Sequence, residues 1–217
     1  MPEFEAILFD FDGVLADSEP VHWACWAEVL APLGVTLTWE VYRDRCIGID
    51  DREMLRMLAT LADPPLDWKL LWAQYPAKKE LFRARTLAAP PFDHGLGSLL
   101  SRLHPSYKLA VVSSSSCSEI EPLLVAGGLR THFDTLVGGE NVKRHKPAPD
   151  PYLLAAERLG ARHALVVEDS PAGIASGRAA GFEVLPIRSP SEVPESVMRR
   201  LTGRPSGDRE NRWSVSL

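Results

Sequence analysis

With 217 residues, 45% of them apolar and 24% charged, the chain has the composition of a globular protein and not of a disordered or fibrous one. Its formal charge of −5 excludes the broad basic face that duplex nucleic acid requires. No run approaches the roughly 18 uninterrupted apolar residues of a membrane span, and Met1-Pro2-Glu3-Phe4-Glu5 lacks the basic start of a secretory signal. A soluble, cytoplasmic protein with one core domain and a smaller insertion is expected. Cys25, Cys46 and Cys117 stand far apart and in no C-x-x-C spacing, so they read as small core hydrophobes and not as a disulfide frame or zinc site.

Ala6-Ile7-Leu8-Phe9 is the first predicted strand. The next, Leu109-Ala110-Val111-Val112, comes roughly a hundred residues later, whereas a parallel crossover needs only a dozen or more, so something is inserted between them. The insertion reads as helical. Ser18-Glu19-Pro20 forms an N-cap and first turn, with Val21, Trp23, Ala24, Ala27, Leu30 and Leu33 along one side. Further helical runs surround Met54 to Leu61 and Trp68 to Arg85, with breaks at Pro64-Pro65 and Pro76. The tryptophans at 23, 26, 39, 68 and 72 read as a small helical core, and Pro90 to Gly95 as the return linker.

Beyond the second strand, a helix over 119–126 ends before Gly127-Gly128, and Thr135-Leu136-Val137 is a third strand. Asp150 to Leu159 is a helix stopped by Gly160, Ala164 to Val167 a strand, and Pro171 to Ala180 a helix stopped by Gly181. Glu183 to Ile187 closes the series, with Pro186 marking an edge strand. The fold class is α/β: residues 1–15 and 90–190 form a Rossmann-like parallel sheet with helices on both faces, 16–89 a helical cap inserted after strand one, and 191–217 a partly disordered tail.

Asp10-Phe11-Asp12-Gly13 follows the first strand, and Glu168-Asp169 follows the fourth. The carboxyl ends of parallel strands border the ligand crevice of an open sheet. Four acids converging there raise one another's pKa unless a cation neutralises them, and an all-oxygen cluster prefers a hard ion such as Mg²⁺. Ser113-Ser114-Ser115-Ser116, after the second strand and before a helix, offers hydroxyls and backbone N–H groups to an anion such as phosphate. Lys146, before Pro147-Ala148-Pro149, brings a cation held on stiff backbone.

These segments, Asp10-Phe11-Asp12-Gly13-Val14-Leu15-Ala16-Asp17-Ser18-Glu19-Pro20, Ser113, Lys146-Pro147-Ala148-Pro149-Asp150 and Glu168-Asp169-Ser170-Pro171-Ala172-Gly173, resemble the four motifs of the haloacid dehalogenase superfamily. More narrowly, they resemble its phosphatase and β-phosphoglucomutase-like branch with a helical cap, over about Glu3 to Arg188. The resemblance implies a Mg²⁺-dependent phosphatase acting on a small phosphorylated metabolite, most naturally a sugar phosphate, through an aspartyl phosphate. It implies Asp10 as nucleophile, Asp12 as general acid and base, Ser113 on the phosphoryl oxygens and Lys146 offsetting charge. Mg²⁺ falls to Asp10, the Asp12 carbonyl and Asp169, with Glu168 direct or through water. Ser114, Ser115, His22, Gly48 and Arg52 are the expected substrate contacts.

The cap loop departs from the branch's pattern. Mutases carry a Lys-Gly-Val-Ser-Arg loop for a distal phosphate, whereas this chain reads Ile47-Gly48-Ile49-Asp50-Asp51-Arg52, with isoleucine at the lysine position and aspartate at the arginine position. A β-phosphoglucomutase-like phosphomutase and a catalytically weak phosphometabolite-binding protein are the alternative readings. A monomer with a small-molecule partner, and with neither nucleic acid nor membrane, is expected.

Overall fold

The central strands are short because they are buried on both faces and must end where polar residues begin. The computed structural model describes residues 3–47 and 49–203. It places β1 at Ala6–Phe9, and after β1 the helices α1 (Glu19–Leu30), α2 (Trp39–Arg45), α3 (Asp51–Leu61), α4 (Trp68–Trp72) and α5 (Tyr75–Ala88). Then come α6 (Leu96–Leu103), β2 (Lys108–Val112), α7 (Cys117–Ala126), β3 (Thr135–Val137), α8 (Asp150–Leu159), β4 (Ala164–Glu168), α9 (Pro171–Ala179), β5 (Glu183–Pro186) and α10 (Val193–Thr202).

The five strands pair in parallel in the order β3-β2-β1-β4-β5, which puts β5, with its Pro186, at an edge as the sequence predicts. Side chains alternate between the two faces. Ile7, Phe9, Leu109, Val111, Leu165 and Val167 enter one core with α6, α7 and α10. Ala6, Leu8, Ala110, Val112 and Val166 enter the other with Tyr152 and Leu159 of α8. Register positions the site: Phe9 pairs with Val111 on one side and Val167 on the other, so Asp10, just past β1, stands level with Val112 and Glu168, the last residues of β2 and β4.

The insertion has a core of its own, built on Trp26, Leu30, Tyr42, Met54, Leu55 and Leu71, against which Trp23, Trp39, Trp68 and Trp72 pack. Three local expectations need correction. In α1 the fully buried residues are Cys25, Trp26 and Leu30. Of the predicted stripe, Leu30 is among them and Trp23, Ala27 and Leu33 pack partly buried against the same core, while Cys25 and Trp26 lie outside the stripe because the helix is enclosed by neighbours on more than one side. The break after α4 falls at Ala73 and Gln74, while Pro76 sits in the first turn of α5, where its missing N–H costs nothing. Cys25 and Cys46 are core residues, but Cys117 is only half-buried at the start of α7.

The tail begins later than the sequence suggested. α10 buries Val193 and Val197, and its Arg200 pairs with Glu3 and Glu183 and lies over the Phe4 ring. Val193, Val197, Met198 and Leu201 recur at helical spacing, but the Pro-, Ser- and Arg-rich sequence around them masked the helix. The final dozen residues, where fraying was expected, lie outside the described residues. Among the described residues, no helix is long and apolar enough to cross a membrane.

Candidate functional site

The floor of the site forms where β1, β2 and β4 end. Lys146 Nζ donates to Asp10 Oδ1 at 2.6 Å, to Glu168 Oε1 at 2.6 Å and to the Val112 carbonyl at 3.1 Å, so one ammonium ties the three strand ends together. Glu168 is fully buried and both its oxygens are engaged. Oε1 accepts from Lys146 and from Tyr152 Oη at 3.1 Å, and Oε2 accepts from the Asp169 N–H, the Ser170 N–H and Ser170 Oγ. Such a carboxylate anchors Lys146 and the turn into α9. Gly173 admits it, since a Cβ there would fall 1.5 Å from Glu168 Oε1.

Tyr152 was missed by the sequence reading. It stands on the buried side of α8 with its ring 5.1 Å from Lys146 Nζ, and a single aromatic on an amphipathic helix gives no local signal of such a role.

Asp10, Glu168 and Asp169 each bring a carboxylate oxygen within 4.8 Å of the others. Burial pushes Asp10 up to about 7; Lys146 opposes this, and the Glu168 charge adds to it. Desolvation and the Glu168 charge push Asp169 up to about 6. Burial pulls Lys146 down, but Asp10 and Glu168 outweigh it and hold the ammonium charged. An oxygen-only donor set in which Asp10 and Asp169 resist ionisation fits a hard divalent cation. Among the described residues, no donor reaches Asp10 Oδ2, which leaves that oxygen available.

Asp12 stands apart from this group. Ser18 Oγ donates to its Oδ1 at 2.9 Å and Ser115 Oγ to its Oδ2 at 3.3 Å. Burial raises its carboxyl, with the two hydroxyls opposing. Ser18 therefore occupies the N-cap position of α1 but gives its side chain to Asp12, and makes no capping bond. The turn between them needs Gly13: its φ is +77°, and a Cβ would meet Asp169 Oδ2 at 2.1 Å. Ser113 is buried, and its oxygen accepts the Ser115 N–H at 3.0 Å, which leaves its own O–H to donate.

Above Asp12 and Ser115 lies a cleft of about 420 Å³ between the floor and the insertion. Its far wall carries His22, Asp51 and Lys78. Lys78 is buried, donates to His22 Nδ1 at 2.7 Å, lies 3.9 Å from Asp51 Oδ2, and sits near the faces of Trp26 and Phe82. Burial, with the Lys78 charge adding, pushes His22 down to about 3, so its imidazole is neutral and Nδ1 accepts. Lys79 of α5 and Glu119 of α7 pair at 3.1 Å, bridging insertion and core.

Two of the expected substrate contacts are not brought into this cleft. Arg52 is exposed, with its guanidinium 4.7 Å from the centre of the Trp72 ring. Successive residues on a helix point about 100° apart, and the cleft-facing position at this end of α3 belongs to Asp51. Ser114 is exposed and does not line the cleft, because its backbone packs against Gly139 while Ser113 and Ser115 turn inward. Ser115 and His22 do line it. Gly48 lies outside the described residues.

With this geometry in place, the chain can be set beside known proteins. Residues 7–187 match the haloacid dehalogenase-like hydrolase family. The chain belongs to that family. It is 32% identical to the fructose-1-phosphate phosphatase YqaB of Escherichia coli, over 85% of this chain and 97% of that protein. It is equally identical to a phosphorylated carbohydrates phosphatase of Thermotoga maritima, over 82% of each. The structure of CbbY from Rhodobacter sphaeroides in complex with phosphate superposes with a TM-score of 0.61 at 31% identity, over 85% of this chain and 87% of that one.

Proposed function

We propose that this haloacid dehalogenase-like hydrolase is a Mg²⁺-dependent phosphatase of small phosphorylated metabolites, sugar phosphates first among them, working through an aspartyl phosphate. The observation that carries the reading is the juxtaposition of an anchored carboxylate with a free oxygen, Asp10, buried at the end of β1, and, two residues on, a separately held carboxyl, Asp12, which lines a cleft of metabolite size. The names of the phosphatase relatives support the substrate class.

In this reading Asp10 Oδ2 attacks phosphorus and the bond from phosphorus to the sugar oxygen breaks, with Asp12 giving that oxygen its proton. Asp12 then takes a proton from water as the water oxygen attacks the same phosphorus, which releases phosphate and restores Asp10. Ser18 and Ser115 hold the Asp12 carboxyl toward the cleft throughout. Ser113 donates its O–H to a phosphoryl oxygen, and Lys146 offsets the negative charge that builds up beside Asp10. Mg²⁺ would be held by Asp10, Asp169 and the Asp12 carbonyl, with Glu168 direct or through water, and would screen the repulsion between the carboxylate and the phosphoryl group.

The test is phosphate release from p-nitrophenyl phosphate and from a panel of sugar monophosphates. EDTA abolishes release and added Mg²⁺ restores it. Full activity after exhaustive chelation defeats the metal assignment, and no release from any ester in excess Mg²⁺ defeats the phosphatase reading in favour of a binding protein. β-Glucose 1-phosphate yields free phosphate; accumulation of glucose 6-phosphate faster than phosphate makes the chain a phosphomutase.

A further inference from the structure

Among the described residues, each cation near the cleft already has a partner. Lys78 faces Asp51 at 3.9 Å, Lys79 pairs with Glu119 at 3.1 Å, Arg83 approaches Glu80 at 3.8 Å, and Arg52 lies over Trp72. Glu19, whose Oε2 accepts from Tyr42 Oη at 2.9 Å, adds a further acid to the lining. A phosphate at this end of the cleft would therefore face Glu19, Asp51 and Glu119, and the lining cations Lys78, Lys79 and Arg83 each already lie within 4 Å of a carboxylate.

Asp51 is the best placed of these acids to act on a substrate. Trp26 Nε1 donates to its Oδ1 at 3.1 Å, which fixes the carboxylate plane, and Oδ2 lies on the Lys78 side of the cleft wall. A hydroxyl can donate to that oxygen and accept from the ammonium, so the pair reads a neutral, hydroxylated group well. A phosphate dianion can only accept from Lys78, and it brings two like charges close to Asp51 in a partly desolvated wall.

We propose that Asp51 is a specificity-determining residue: it accepts a hydroxyl from the unphosphorylated end of a sugar monophosphate and excludes sugars that carry a second phosphate there. This rests on the phosphatase reading above. The mutase-type arginine is absent at this position, and its place is taken by a group of opposite sign that is itself held in the wall.

The experiment compares kcat/KM for fructose 1-phosphate and fructose 1,6-bisphosphate, scored as release of the 1-phosphate, in the wild type, Asp51→Asn and Asp51→Glu. Wild-type turnover of p-nitrophenyl phosphate in excess Mg²⁺ tests the underlying phosphatase reading separately. The wild type favours the monophosphate by at least about tenfold, equivalent to ~1.4 kcal/mol. Asp51→Asn keeps an acceptor for Trp26 but removes the charge, and the bisphosphate-to-monophosphate ratio rises about tenfold; Asp51→Glu keeps the ratio low. A residue that merely supports the fold moves both substrates together. Active wild-type enzyme that hydrolyses the bisphosphate as well as the monophosphate overturns the proposal even if a variant fails to fold. So does an unchanged ratio in Asp51→Asn.

Discussion

The floor of the site and its far wall are built by different means. On the floor, Asp10, Val112 and Glu168 stand at one level at the ends of three paired strands, and backbone hydrogen bonds of the sheet set their spacing before any side chain is chosen. On the wall, His22, Asp51 and Lys78 come from α1, α3 and α5, and are placed by contacts among side chains: a hydrogen bond between His22 and Lys78, a ring stack between His22 and Phe82, and the Trp26 bond to Asp51. Groups placed by sheet register resist displacement when a neighbouring side chain changes. Groups placed by side-chain packing are open to retuning, which is where substrate choice is expected to reside.

The sharpest way to separate the two is to change chemistry on the floor without changing shape. Asp10→Asn folds and loses at least about 10³-fold in phosphate release, since an amide cannot accept the phosphoryl group. Retained activity in a metal-saturated assay would assign the nucleophile elsewhere.

Lys146→Ala tests whether the floor is one unit. Removing the ammonium leaves Asp10 and the fully buried Glu168 without their shared cation. kcat/KM falls about 10²-fold and metal-free stability falls by about 3–5 kcal/mol in urea titration. An unchanged kcat/KM would reduce Lys146 to a structural tie.

The wall has its own pH signature. His22 titrates near 3 in the folded protein and near ~6.5 when unfolded, so between these values the unfolded chain binds a proton that the folded one refuses. The His22 contribution to stability therefore falls as pH is lowered from about 6.5 toward 3, by up to ~1.4 kcal/mol per pH unit, while the raised Asp10 and Asp169 carboxyls act in the opposite direction. His22→Gln flattens this limb relative to the wild type, measured as Tm against pH in excess Mg²⁺. Parallel curves would show that His22 is not held neutral.

The smallest effect belongs to Arg52, which stacks on Trp72 outside the cleft. Arg52→Ala costs about 0.5–1 kcal/mol of stability and leaves kcat/KM within about twofold. A larger loss confined to sugar phosphates would return Arg52 to the substrate.

The alternation of apolar runs with helices punctuated by Gly160 and Gly181 determined the parallel sheet and the insertion, and Pro186 the edge, because these are local statements about backbone and burial. The acids at the ends of β1 and β4, the serine run after β2 and Lys146 were legible for the same reason: in a parallel sheet the ends of adjacent strands share one edge. Tertiary structure alone decided which partner each side chain takes. Ser18 looks like a cap and holds Asp12; Tyr152 looks like a core aromatic and holds Glu168. Asp51 and Arg52 are adjacent in sequence, and only the packing of α3 against α4 and of α1 against α5 turns the first to the cleft and the second to Trp72. α10 escaped notice because the Pro-, Ser- and Arg-rich sequence around it masked the helical spacing of Val193, Val197, Met198 and Leu201. Periodicity records which face of an element is apolar, but the partner that meets that face lies far along the chain and is set by long-range packing.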